Sequence, residues 1–584
     1  MKKKQALSNT NSILVALACA VWAVCSPAQV YAQSAADRDA AARQAEIIQR
    51  QNELQRQRDL ERNLPPERKA DGIDTSALQP KVDASKAGAV CHNISEIRIT
   101  SAPGLSDEAR AKVNREFTHR CLGVSEIEQI LGLITQDYIQ RGYITTRAYL
   151  PQQDLGKGVL EILVIEGKIG RLQLKDLENG GSIRLGNAFP SGAGDVLNLR
   201  DLEQGIEQLN RLASNNATMD IQPGDKPGES VVIVANKASR PVHGGVSADT
   251  EGSKNTGRNE WGAFFSVDSA FGFNEFLMVS HRESLPVEKP NTASRMNSVV
   301  LIVPFGYSSL TVSHTDSSYV SNIKTPGGLN LASSGESRTD SIRIDRKVFR
   351  DQSSGLLLSA TLSVKTSNNY LEDLHLDVAS RTLSILDVGA SYTTVFWGGP
   401  LTLDVGYARG LRLAGALKDM DNLPGYAAHA QFDKYSVGYN YRKPFAVGSE
   451  QFSFSSALTA QWAAQTLYGS EQMLIGGIYT VRGFVDQTLS GDHGYYVRNE
   501  LSWHRPIAIG GQWLTTRFYL ALDEGGVKNR APNIPNGHLM GGAVGASFSI
   551  LGGSVDTFYS FPISHPGFMK KEDPQAWVRL SYSL

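Results

Sequence analysis

Arg482 stands in the glycine-rich run Gly476-Gly477-Ile478-Tyr479-Thr480-Val481-Arg482-Gly483-Phe484. A guanidinium is a planar, permanently charged fork of donors, and its chemistry is to grip a carboxylate through two parallel hydrogen bonds. The flanking sequence alternates apolar and polar residues as barrel strands do, and a cation in such a setting must face water or an anion, because hydrocarbon penalises it heavily. The loop is therefore expected inside a lumen, with a carboxylate as the partner of Arg482. Arg498 and Glu500, in Tyr495-Tyr496-Val497-Arg498-Asn499-Glu500-Leu501, lie two residues apart and share one face of a strand, so both can line that lumen.

Bond-making chemistry has little support. No His-Glu-x-x-His occurs, and Gly252 to Gly257 has P-loop spacing but is followed by Arg258-Asn259 where a lysine and a hydroxyl residue are needed. Neither catalysis nor a cofactor is expected. Lys and Arg number 58 against 59 Asp and Glu, a net charge of −1, which leaves no global footprint for nucleic acid. Of the four cysteines, Cys19 and Cys25 fall in an N-terminal export signal. Cys91 and Cys121 remain, and in an oxidising compartment, with no histidine cluster beside them, they read as a disulfide and not as a metal site.

The elements that must position these residues follow from the pattern. Residues 1–32 carry Lys2, Lys3 and Lys4, an uncharged stretch, and Val30-Tyr31-Ala32 before Gln33, the form of a secretory signal peptide. Beyond them no long uncharged apolar run occurs, so any membrane crossing is made by strands. Residues 33–64 are rich in Ala, Arg, Gln and Glu, lack Gly and Pro until Pro65, and predict one helix about 45 Å long. Glu46 with Arg50, and Asp39 with Arg43, are spaced to pair along it. Its apolar stripe of Ile47, Ile48, Leu54 and Leu60 is too thin to bury against a core, so the helix needs an aqueous setting. Residues 65–90, with Pro65, Pro66, Gly72 and Pro80, read as a linker.

Residues 91–167 predict a βααββ unit. Ile94, Ile97 and Ile99 mark a strand and residues 107–117 a helix. The Ser125 to Glu128 spacing suggests a capping box ahead of a second helix with Ile127, Ile130, Ile134 and Tyr138 on one face. Gly142 suits a left-handed helix end, and residues 144–150 and 159–165 read as strands. Residues 168–238 repeat this plan in degenerate form, with Leu202, Ile206 and Leu209 on the helix face.

From about residue 239 the period becomes two. Leu356, Leu358, Ala360, Leu362 and Val364 alternate with polar neighbours, and the chain closes with Val578, Leu580, Tyr582 and Leu584 between Trp577, Arg579, Ser581 and Ser583. About 346 residues at roughly 20 to 22 per strand and connector make about sixteen strands, wide enough to be hollow unless filled.

Taken together, the Val481-Arg482-Gly483-Phe484 loop, the two units with Gly142-Tyr143-Ile144-Thr145 and Val164-Ile165-Glu166-Gly167, and the N-terminal helix resemble the outer-membrane protein assembly superfamily, most closely its TpsB two-partner secretion transporters. The resemblance implies a transmembrane β-barrel of about sixteen antiparallel strands over 239–584, with a lumen-inserted loop near 476–490. It also implies two periplasmic α/β polypeptide-transport-associated (POTRA) domains and a plug helix inside the barrel. Tyr519-Leu520-Ala521-Leu522-Asp523-Glu524-Gly525 is similar to the inner-wall motif that holds the loop arginine, which selects Asp523 as partner and makes Gly525 part of the motif. Because side chains alternate, Glu524 then faces away. Val303-Pro304-Phe305-Gly306 resembles a family motif at the start of a barrel strand.

The implied function is export of a large TpsA exoprotein, an adhesin, cytolysin or contact-dependent inhibition toxin, captured by the POTRA domains in the periplasm. The cysteine pair leans toward the haemolysin and contact-inhibition transporters. The implied setting is the bacterial outer membrane and its lipid, as a monomeric pore inserted by the barrel assembly machinery. The alternative is an insertase that assembles other barrels and shares the loop motif. Barrels of this kind usually end in Phe or Trp, where this one ends in Leu584.

Overall fold

The computed structural model describes residues 35–64, 90–175, 183–286, 292–324, 330–532 and 534–584. The expected signal peptide lies outside them, as does the expected linker but for Val90.

Helix α1 spans Ala35–Asn63. Its few apolar residues do not form one core; they meet separate patches of the barrel wall and, at Leu212, of the second soluble unit. Ala41 packs with Ile323 and Leu371, Ile48 and Ala45 with Tyr319, and Leu60 and Leu64 with Phe276, Met278 and Leu212. The rest is polar contact: Gln49 donates to Asn369 at 3.3 Å, and Arg62 grips Glu251 at 2.8 and 3.0 Å. The expected Glu46–Arg50 pair is not what forms. Glu46 turns outward to Arg381 of the wall and accepts from the Gly469 N–H at 3.0 Å, because inside a barrel the nearest cation is on the wall and not on the helix.

The first soluble unit contains β1 (His92–Ile94), β2 (Glu96–Thr100), α2 (Asp107–Phe117), β3 (Arg120–Leu122), α3 (Val124–Gln140), β4 (Arg147–Tyr149) and β5 (Val159–Ile165). β5 is central, parallel to β2 and antiparallel to β4. Val113 of α2 and Ile130, Ile134 and Tyr138 of α3 pack on Leu160 and Ile162. The capping box sits two residues earlier than expected. α3 begins at Val124, so the third helical position is Glu126, whose carboxylate accepts from the Gly123 N–H at 2.8 Å. Gly142 takes φ +94° at the other end. Tyr138 donates to Glu166 at 2.9 Å, and burial together with that carboxylate holds its phenol above the ordinary value. The short β1–β3 pair was not legible in the sequence; it sits beside the Cys91–Cys121 disulfide, whose Cα atoms are 5.3 Å apart.

The second unit has the same plan in β6 (Lys168–Leu174), α4 (Leu185–Ala188), α5 (Leu199–Asn210), β7 (Ala217–Pro223) and β8 (Glu229–Asn236). β8 is parallel to β6 and antiparallel to β7, as β5 is to β2 and β4. Leu202, Ile206 and Leu209 of α5 are buried in its core, and Ile144 of the first unit inserts there too.

Sixteen long strands, from Val242–Asp249 to Gln575–Ser583, close an antiparallel barrel. Alternation sorts the side chains: Val578, Leu580, Tyr582 and Leu584 are exposed on the outside, while Trp577 and Arg579 are buried inward. First and last strands meet in five register pairs, Arg579 opposite Asp249 to Ser583 opposite Gly245, and the Leu584 N–H adds a bond to the Gly244 carbonyl at 2.9 Å. The Val303 to Gly306 motif lies at the end of the strand Ala293–Phe305 and not at a strand start. Gly306, at φ +57°, makes the turn, and its carbonyl accepts from Gln208 and Gln204 of α5 at 2.8 and 3.2 Å. Tyr307 donates to Asp201, so this turn carries the second unit.

Candidate functional site: a charged clamp in the barrel lumen

The segment between the strands Glu450–Ala463 and His493–His504 folds back into the barrel on a short stem, Met473–Ile475 paired with Leu489–Gly491. At its tip Gly483 has φ +100°, and a Cβ there would stand 2.4 Å from the Phe561 carbonyl oxygen, so only glycine fits. Phe484 and Val481 anchor the tip in an apolar cluster with Met473, Ile475, Leu489, Val527 and Leu539.

Between those anchors Arg482 points at the wall. Its Nε donates to Asp523 Oδ2 at 2.6 Å and its Nη2 to Oδ1 at 2.8 Å, the bidentate fork, and its own backbone N–H adds a bond to Oδ2 at 3.1 Å. Asp523 is fully buried and Arg482 is 4% exposed. Nη1 of Arg482 reaches Glu500 at 3.3 Å. Glu500 also accepts from Arg517 at 2.7 Å. Arg498 lies opposite Asp523 in register, 3.9 Å from Oδ2, and donates to the Tyr479 carbonyl at 3.1 Å. Gly525 lets the wall approach the loop: a Cβ there would sit 3.0 Å from Val481 Cγ2. Glu524 faces the other way and accepts from Tyr495 and His538, both at 3.0 Å. All eight of the lumen residues singled out in the sequence, Val481, Arg482, Gly483, Phe484, Arg498, Glu500, Asp523 and Gly525, therefore converge on one place.

Several partners were missed. A Cβ on Gly541 would overlap the Arg482 carbonyl oxygen at 1.7 Å; a glycine inside a strand is a signal of close backbone approach, and Gly541-Gly542 carried it. Glu572 accepts from the N–H groups of Val485, Asp486 and Gln487 at 2.8, 3.2 and 2.8 Å, and nothing local in its sequence announces this. A second buried network joins α1 to the wall near the seam. Arg282 binds Asp249 and Glu260, each at 2.6 Å, and Arg579 binds Asp249 at 3.1 Å. The Arg62–Glu251 pair of α1 joins them, with Tyr479 of the loop 3.4 Å from Glu251. Among the described residues no group of three or more His, Cys, Asp or Glu side chains that could hold a metal ion assembles.

Known proteins share this fold. The model of the haemolysin secretion/activation protein family ShlB/FhaC/HecB matches residues 228–548, and POTRA models match 92–167, of the ShlB type, and 168–223. Outer membrane transporter CdiB of Dickeya dadantii (strain 3937) is 33% identical over 496 residues, 85% of this chain and 87% of that protein. Hemolysin transporter protein ShlB of Serratia marcescens is 27% identical over 513 residues, 87% and 88% of the two. Among solved structures, CdiB from Escherichia coli superposes with a TM-score of 0.79 at 30% identity, covering 95% of this chain and 100% of the other. The lumen loop, the two soluble units and the closed barrel thus have one common explanation: the chain belongs to the ShlB/FhaC/HecB haemolysin secretion/activation family, an outer-membrane barrel with two periplasmic POTRA domains.

Proposed function

We propose that the chain exports a large TpsA exoprotein, an adhesin, cytolysin or contact-dependent inhibition toxin, from periplasm to cell surface as a monomeric pore. The observation that carries this is α1, a helix held in the barrel by separated polar contacts and small apolar patches, an arrangement suited to withdrawal. The POTRA domains capture the unfolded cargo by adding its extended segment to an open strand edge. The helix leaves, and the Arg482–Asp523 clamp keeps the loop aligned with the wall while the chain passes. Folding of the cargo outside opposes return. Residues 1–32 are removed as a signal, 65–90 tether the helix, 91–167 and 168–238 are the two capture domains, 239–584 the pore, and the barrel assembly machinery inserts it.

Deleting the gene in its native cell and comparing secreted and outer-membrane proteomes by quantitative mass spectrometry tests this. Loss of one very large surface protein, with other barrels unchanged, is expected. Depletion of many barrels together would make the chain an insertase instead.

A further inference from the structure

The strands that carry the clamp have a step in their outer face. Across the sheet, register partners on that face run Phe452, Trp503, Phe518, Ala546 and Thr557. Three rings are followed by two small side chains, so the surface drops beyond Phe518. The next row toward the cell surface, Leu501, Leu520, Val544 and Tyr559, is exposed and bounds the drop. The result is a groove of about 600 Å³ lined mainly by apolar side chains. Its floor is thin. Gly545 lies in it, and a Cβ there would stand 2.3 Å from the Tyr519 ring, which on the lumen side lies beside Arg517 and Arg482. The Thr557 hydroxyl is already satisfied, donating to the Trp577 carbonyl at 3.0 Å.

At one end of the groove stands a cation. The turn after His504 is at the same end of the barrel as Gly306 and Tyr307, which carry the second soluble unit, so this end is periplasmic. Arg505 is exposed there, its guanidinium 5.5 Å from the centre of the Trp503 ring, and among the described residues no carboxylate pairs with it. Glu450 instead accepts from the Trp503 indole N–H at 2.7 Å and fixes that ring between groove and cation. Trp513, in the hairpin that follows, is exposed as well, and indoles collect at the membrane–water boundary. We propose that this is a binding site for one phospholipid of the inner leaflet, with an acyl chain in the groove and the phosphate on Arg505. The groove opens onto the lipid-facing surface of the barrel, and that decides the occupant: a protein would have to displace the bilayer, whereas lipid is already there in excess. An acyl chain suits an apolar channel whose floor hydroxyl is paired, and a guanidinium fork matches phosphate oxygens. The outer-leaflet phosphates lie across the hydrocarbon core, about 30 Å away. A chain seated in the groove backs the Gly545 floor and, through Tyr519, the wall on which the Arg482 clamp closes. The site does not depend on what passes through the lumen.

The test titrates the full-length chain, purified in detergent, with dioleoylphosphatidylglycerol and counts bound lipids by native mass spectrometry. One lipid bound about tenfold tighter than all that follow is expected, the weight of one hydrogen bond to a charged group. Ala546→Phe fills the floor of the groove and should abolish that first binding. Arg505→Ala should weaken it about tenfold. Val437→Phe adds a ring at a lipid-facing position outside the groove and should change nothing. Heat-modifiability of the barrel shows that each variant is folded, and if Ala546→Phe is not, Arg505→Ala decides. Lipids that bind in a smooth series with no tight first one, or a first lipid indifferent to the groove and cation substitutions, would overturn the site. Lipid A, titrated in parallel, should bind without a tight first step. A tight first lipid A that Arg505→Ala removes would overturn the assignment to the inner leaflet.

Discussion

Replacing Arg482 by alanine removes four contacts at once: the two arms of the Asp523 fork at 2.6 and 2.8 Å, the bond to Glu500 at 3.3 Å, and the packing near Tyr519. Asp523 is left fully buried, with Arg498 at 3.9 Å the nearest remaining cation. Breaking one partner of a buried pair costs about 3 to 5 kcal/mol, which raises the population of the released loop by roughly two to four orders of magnitude. Phe484 and the three N–H bonds to Glu572 remain, so the loop should stay in the barrel while the Arg482–Gly483 turn comes away from the wall more often. The assay is limited proteolysis of intact cells, scored for cleavage within 476–490, alongside delivery of the exported protein and heat-modifiability of the barrel. Expected are faster cleavage, loss of export and an unchanged barrel. Arg482→Lys keeps the charge but not the fork and should fall between wild type and alanine. In a double-mutant cycle, Asp523→Ala added to Arg482→Ala should cost much less than it does alone. Wild-type protection and export in Arg482→Ala, or simple additivity in the cycle, would refute the clamp.

Other substitutions probe the surroundings. Gly541→Ala should free the loop as Arg482→Ala does, since its Cβ overlaps the Arg482 carbonyl at 1.7 Å, and the same proteolysis assay reads it. Glu572→Ala leaves three backbone N–H groups of the loop without their acceptor and should speed cleavage after 484 with a smaller effect on export. Combining Glu46→Ala with Arg62→Ala removes the helix's ion pairs to Arg381 and Glu251, and single-channel recording should show more frequent and longer openings. Cys91→Ser with Cys121→Ser should lower the stability of the first POTRA domain by about 2 to 4 kcal/mol, seen as earlier melting of the detergent-solubilised protein, while export persists at low temperature.

The barrel was legible because period two survives every insertion, and the helix because thirty residues without Gly or Pro leave little alternative. Arg482 and Asp523 were legible because a lone cation among glycines demands an anion and because both lie in motifs. Glu572, Glu251 and Arg282 were not: the contacts that give them meaning span 22 to 328 positions, and nothing local in their sequence marks them. The capping box misled by two residues because Ser125 and Glu128 have the right spacing, while Gly123 and Glu126, which form the cap, lack the hydroxyl that advertises it. The Val303 to Gly306 motif was placed at the wrong end of its strand because a proline near a strand terminus does not say which terminus.

The five-pair seam sets an order of events in the life of the molecule. Gly244 and Leu584, about 340 positions apart, are hydrogen-bonded to each other, so the first and last strands of the barrel must both be in place before the cylinder closes. Joining ends so distant costs about 5 kcal/mol of chain entropy before the first closing bond forms. Until then the unfinished sheet exposes two raw edges, which hydrocarbon cannot solvate. A chain cut short by a few residues is accordingly not a slightly weaker pore. It is an open ribbon awaiting another strand, and the edge it offers is the one against which its own closing strand should have come to rest.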